Sequence, residues 1–130
     1  MRGASKLGPD MALNPLQQPG LDSLIRLAQM SKVIIKISGL YRASDSKDTC
    51  YHDNRPLVEA LSREAPDQCI WGSDWPHTGE GKDRVNGVLS VKEPFRSIDD
   101  SAILEKVKEW VGDGDVWQKL MTGNPSRIFQ

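Results

Sequence analysis

Apolar residues recur along the chain with two different periods. Leu21, Leu24, Ile25 and Ala28 follow an i, i+3, i+4, i+7 spacing, which predicts a helix of about 10 residues entered after Pro19-Gly20 and ending near Ser31. "KVIIKISG" (Lys32 to Gly39) then packs β-branched residues together and stops at a glycine, the pattern of a strand buried on both faces. Period two sets Val33, Ile35 and Ile37 on one side and Ile34, Lys36 and Ser38 on the other, so the second side is the polar one. The polar stretch Leu40 to Asp53 reads as a loop at the carboxyl end of that strand.

The alternation then repeats. Pro56 suits a first helical turn, and Leu57, Val58, Ala60 and Leu61 supply the apolar stripe of a second helix. "CIWGSDWP" reads as a second strand, with Ile70, Gly72 and Asp74 on one side, Trp71, Ser73 and Trp75 on the other, and Pro76 at its end. Thr78 to Glu93 predicts a second long loop. A third helix follows through Ile103, Leu104, Val107, Trp110 and Val111, with Asp99, Asp100 and Ser101 suited to its positively polarised start. Val116, Trp117, Leu120 and Met121 mark a short fourth helix closing at Gly123, after which Asn124 reads as a cap and Pro125 as the first residue of a final turn. Residues 1–18, rich in proline and glycine and without a period, read as a loop or unpacked lead-in to one domain spanning 1–130.

Strands alternating with helices predict an α/β fold with parallel strands joined by crossovers. Only two strands are legible, and a two-stranded sheet is marginal alone, with unpaired edges open to self-association. Composition narrows the function. Seventeen basic and eighteen acidic residues, a formal charge of −1 and no long run of either sign give no footprint for nucleic acid or a membrane surface. No apolar run approaches the roughly 20 residues of a bilayer span, and "MRGASKLGPD" lacks the apolar stretch of a secretory leader, so a cytoplasmic location is expected. Cys50 and Cys69, far apart, are expected as free thiols.

"VIIKISGLYR", "IWGSDWPHT" and "GNPSRIF", in this order and separated by helices, resemble the carboxyl-terminal third of the amidohydrolase-related (amidohydrolase 2) family, nearest to its 2-pyrone-4,6-dicarboxylate lactonase-like branch. The resemblance runs from about Pro19 to Phe129. It implies a TIM-type β/α barrel with its active site at the carboxyl ends of the strands, of which this chain would hold about the last two β/α units. It also implies that Asp74, at the end of the final strand, is catalytic, and that Arg42 binds a substrate carboxylate. Full-length family members can use a divalent metal, whereas the lactonase-like branch resembles the metal-independent style, and no cofactor is expected here. The family's His-x-His pair and middle-strand histidines have no counterpart, since His52 and His77 are the only histidines. The expected activity is hydrolysis of a small carboxylated lactone, ester or related C–O or C–N bond, with no turnover by this chain alone. The alternatives are a metal-dependent decarboxylase on the same scaffold, or a non-catalytic partial product or interaction module.

Each candidate has a chemical reason and a plainer alternative. Hydrolysis needs a base to take a proton from the attacking water, and an aspartate is ionised at neutral pH; Asp74 would otherwise accept backbone N–H groups of the next loop. The planar fork of Arg42 suits a carboxylate, and its alternative is a surface pair with Asp45 or Asp48. Tyr41 could add a hydroxyl to substrate binding. Lys36, interrupting an apolar strand, needs a partner, and a contact with Asp74 that orients the carboxylate is expected, with Ser38 as a second supporting group. His77 is placed at the mouth of the site, donating to substrate or holding the loop. His52, Asp53 and Cys50 make a poor metal site. Trp71 and Trp75 read as packing between strand and helices. Gly39, Gly72 and Gly81 read as backbone devices outside any phosphate-loop pattern.

Overall fold

A computed structural model describes residues 1–79 and 92–130 of the chain. The lead-in is more ordered than its composition suggests. Two 3-10 turns, Ala4–Lys6 and Pro15–Gln17, flank a short helix α1 (Pro9–Leu13). Gly3 N–H donates to Ala43 O at 2.7 Å, Lys6 Nζ to Arg42 O at 2.6 Å, and Ser5 Oγ to Asp53 Oδ2. These bonds to the segment after the first strand correct the expectation of an unpacked lead-in.

Helix α2 (Leu21–Gln29) starts at Gly20, whose left-handed backbone (φ +85°) turns the chain into the helix. Strand β1 (Ile35–Ser38) follows, and the loop expected after it contains helix α3 (Leu40–Ala43) and a 3-10 turn, His52–Asn54. Helix α4 (Arg55–Glu64) leads to strand β2 (Cys69–Gly72). Helix α5 (Asp100–Val111) begins as the acidic run predicts, with Asp99 Oδ1 accepting from Ala102 N–H at 3.0 Å. Helix α6 (Asp115–Gln118), a π-helical turn (Lys119–Gly123) and helix α7 (Asn124–Ile128) then run on without a stop. Gly123 is helical (φ −61°), so it does not end the fourth helix, and Asn124 is not a cap. Its buried amide instead donates to Pro66 O at 2.7 Å and Cys69 O at 2.8 Å, tying the last helix to the start of β2.

The two strands lie side by side and parallel, pairing Ile35 with Cys69, Lys36 with Ile70, Ile37 with Trp71 and Ser38 with Gly72. One face of this sheet is covered. Ile35, Ile37 and Cys69 join Leu57, Val58 and Leu61 of α4, Ile103, Val107 and Trp110 of α5, and Leu120 in one core. Each fully buried aliphatic side chain there contributes about 1.5–3 kcal/mol. Lys36 and Ser38 fall on the opposite face, where Lys36 is exposed. β2 stops at Gly72, earlier than its apolar pattern predicts, because Asp74 two residues later takes a left-handed backbone (φ +71°) that no strand continues through. The chain turns away there. Trp71 packs partly against the core, but Trp75, expected in the same role, is 78% exposed because the turn carries it outward. Gly81 and most of the second predicted loop lie outside the described residues.

Candidate active site at the carboxyl ends of the strands

The turn Asp74–His77, closed by His77 N–H on Asp74 O at 3.0 Å, fixes the carboxylate just beyond β2. Aspartate tolerates the left-handed region better than most residues because its short side chain bonds locally. From the neighbouring strand, Gly39 (φ +56°) redirects the chain into α3, which brings Tyr41 and Arg42 back over the strand ends. Both side chains meet Asp74. Tyr41 Oη–H donates to Asp74 Oδ2 at 2.9 Å, and Arg42 Nε–H donates to the same oxygen at 2.6 Å. Arg42 Nη2 reaches on to Thr78 O at 2.8 Å and Thr78 Oγ1 at 3.1 Å, so the guanidinium spans the turn from its base to its far end. Asp74 Oδ1 accepts no hydrogen bond among the described residues, and the side chain keeps 29% of its exposure.

Electrostatics follow from this geometry. The Arg42 hydrogen bond holds the Asp74 carboxyl below its ordinary value, with smaller help from Tyr41 and from the charges of Arg42 and Lys36, against the opposing effect of burial. Tyr41 is pushed above its ordinary value, first by burial and then by the bond to Asp74. Asp74 is therefore an anion and Tyr41 a neutral donor at neutral pH. The guanidinium of Arg42 also lies 5.1 Å from the centre of the Tyr41 ring, and that of Arg96 lies 5.4 Å from it.

Several expectations need restating. Lys36 makes no ion pair or hydrogen bond with Asp74; the contact predicted for it is made by Arg42, and Lys36 acts on the carboxylate only through its charge. The surface pairs foreseen for Arg42 do not form, since Asp45 meets Lys6 and Asp48 meets His52. Arg42 in turn is engaged inside the protein. His77 is not at an open mouth: it is 6% exposed, donates through Nε2 to Asp100 Oδ2 at 2.9 Å and stands edge-on to Tyr41 at 5.6 Å. Its Nδ1 is buried without a partner among the described residues. Asp100 is the residue that sequence reasoning missed, since it read only as a charge at the start of α5. Ser38 ends β1 opposite Gly72, beside the site but without a bond to Asp74. Among the described residues no three His, Cys, Asp or Glu side chains gather to hold a metal ion, and Asp74 has one oxygen committed to Tyr41 and Arg42. These residues alone do not fit a divalent ion.

The chain belongs to the amidohydrolase family (Amidohydro_2), whose model matches residues 8–130. It is similar to 4-sulfomuconolactone hydrolase of Rhizobium radiobacter, 37% identical over 79% of this chain and 30% of that protein. It also resembles D-galactarolactone isomerase of Agrobacterium fabrum, at 25% over 86% of this chain and 34% of the other, and 2-pyrone-4,6-dicarboxylate hydrolase of Comamonas testosteroni, at 26% over 68% and 25%. The chain thus spans about a third or less of the length of these relatives. An apo crystal structure from Agrobacterium tumefaciens superposes with a TM-score of 0.63 at 23% identity, covering 87% of this chain and 36% of that one, a likeness of fold alone. No helix of the described residues is long and apolar enough to cross a membrane.

Proposed function

We propose that this chain forms the last two β/α units of a TIM-type barrel hydrolase that opens a small acid-bearing lactone, with Asp74 as the proton acceptor. The observation that carries this reading is the asymmetry of Asp74, whose Oδ2 takes both donors while Oδ1 accepts none among the described residues. In the reaction, water attacks the ring carbonyl carbon as its proton passes to Oδ1, and the ring C–O bond then breaks as Asp74 hands that proton to the leaving oxygen. Arg42 and Tyr41 hold the carboxylate for that transfer. The relatives' names favour a lactone over the substrate of a decarboxylase.

The test is single-turnover ring opening of a pyrone dicarboxylate by this chain within a completed barrel, since the chain alone is expected to show no turnover, with protein in excess so that even a slow reaction is read. Asp74→Asn is expected to lower the rate by about 10²-fold or more, the usual share of a general base. An undiminished rate in the variant, or no opening above the buffer rate in the unsubstituted protein, refutes the proposal.

A further inference from the structure

Arg42 is the cation nearest Asp74, and its bonds to Asp74 and Thr78 take up Nε and Nη2, leaving Nη1 without a partner among the described residues. A second positive charge would hold a substrate's acid group more firmly than Nη1 alone. Lys36 stands on the face of β1 turned away from the core, exposed and without a hydrogen bond or ion pair among the described residues. Its stem lies across β2 at Gly72: a Cβ added at Gly72 would come within 2.5 Å of Lys36 Cε and 3.4 Å of its Nζ. The missing side chain of Gly72 is the slot the lysine occupies. This seat sets the ammonium beside Gly72, the last residue of β2, with Asp74 two residues further along the chain.

We infer that Lys36 is a specificity-determining residue, its ammonium binding the acid group of the lactone while the ring carbonyl faces Asp74. This rests on the proposed lactone reading and deepens it. Lysine serves here as a point charge, so a carboxylate or a sulfonate would be accepted alike. The charge of Lys36 reaches the Asp74 carboxyl and lowers it, though less than the Arg42 bond does.

The experiment compares calorimetric binding of a carboxylated 2-pyrone and of unsubstituted 2-pyrone to the full chain, to Lys36→Gln and to Lys36→Arg, with ring opening measured in parallel. The unsubstituted protein is expected to prefer the carboxylated ring by about tenfold, the usual size of one charge-assisted bond. Lys36→Gln should bring the ratio near one, and Lys36→Arg should retain most of it. Should Lys36→Gln not fold, the salt dependence of the preference in the unsubstituted protein decides, with a salt-insensitive ratio overturning the inference. No preference in the unsubstituted protein, or one unchanged in Lys36→Gln, overturns it too. Ring opening with a Lys36-independent preference sinks the inference and leaves the lactonase reading standing; Lys36-dependent binding without ring opening in the completed barrel does the reverse.

Discussion

Gly39 joins the backbone requirement of the site to its chemistry, and replacing it by alanine separates the two. At φ +56° the new Cβ enters the left-handed region, which costs an L-residue about 1–2 kcal/mol. It would also stand 3.1 Å from Asp74 Oδ2 and 3.3 Å from Asp74 Cγ, closer than the carboxylate allows without moving by a few tenths of an ångström. That oxygen carries the bonds from Tyr41 and Arg42, and bonds to charged groups are worth about 1.5–3 kcal/mol, reduced here to about 1 kcal/mol by partial exposure. Gly39→Ala should therefore destabilise by about 2–3 kcal/mol. Gly20→Ala is the control: its φ is +85°, but the nearest atom to its new Cβ is Met1 Cε at 4.0 Å, so only the backbone cost of about 1–2 kcal/mol is expected. Urea unfolding measures both, and a carbon-detected titration of Asp74 reads the carboxyl directly. Its midpoint should rise in Gly39→Ala and stay in place in Gly20→Ala. Equal destabilisation by the two variants, with the Asp74 midpoint unmoved in both, refutes the close approach.

Three further outcomes are expected. Asn124→Ala strands the buried Cys69 carbonyl and the part-buried Pro66 carbonyl and should lower stability by about 2–3 kcal/mol in urea unfolding, whereas a change below about 0.5 kcal/mol would mean the amide is not needed there. Burial pushes the Cys69 thiol up to about 12, so at pH 8 it should resist a thiol reagent until the protein unfolds; rapid labelling of Cys69 in the folded protein contradicts this. Backbone N–H bonds from His52 and Cys50 hold the Asp48 carboxyl down at about 2, below its ordinary 3.8. A depressed folded value contributes stability above pH 4 that is lost as the pH falls toward 2, and with its side chain over a third exposed the contribution is of order 1 kcal/mol. Asp48→Asn should flatten stability against pH in that window, and an unchanged acid slope tells against it.

The elements legible in the sequence are those whose residues repeat with a period. The α2 and α4 stripes, the β-branched run of β1 and the acidic start of α5 each declare a buried face or a polarised end, and the parallel adjacency of the strands follows from their alternation. What stays hidden depends on single backbone angles. The positive φ of Asp74 has no compositional mark, since Gly72-Ser73-Asp74 continues the alternation of a strand, yet that angle ends β2 and expels Trp75. The Lys36–Asp74 contact fails for a related reason. Read as a loop, residues 40–53 place Arg42 anywhere on the surface; only α3, starting directly at Gly39, folds Arg42 and Tyr41 onto Asp74 first. The His77–Asp100 pair joins residues 23 apart in the chain through packing that no local pattern announces.

Holding Asp74 by two donors on one oxygen has opposite effects on the proposed chemistry. Each donor favours the anion and so weakens the carboxylate as a base. A weaker base can still accept a proton from water that is already bonding to a carbonyl carbon, because that water becomes strongly acidic as the new C–O bond forms. What the donors contribute is direction: with Oδ2 fixed, the lone pairs of Oδ1, unbonded among the described residues, face one region rather than sweeping several. Removing Arg42 would raise the proton affinity of Asp74 and at the same time release its rotation. If affinity limited the reaction, losing the guanidinium would speed proton transfer; if orientation limits it, the same change slows it. The shared oxygen, rather than one donor on each, is the arrangement suited to the second regime, because it spends both bonds on position and keeps the other oxygen for the proton.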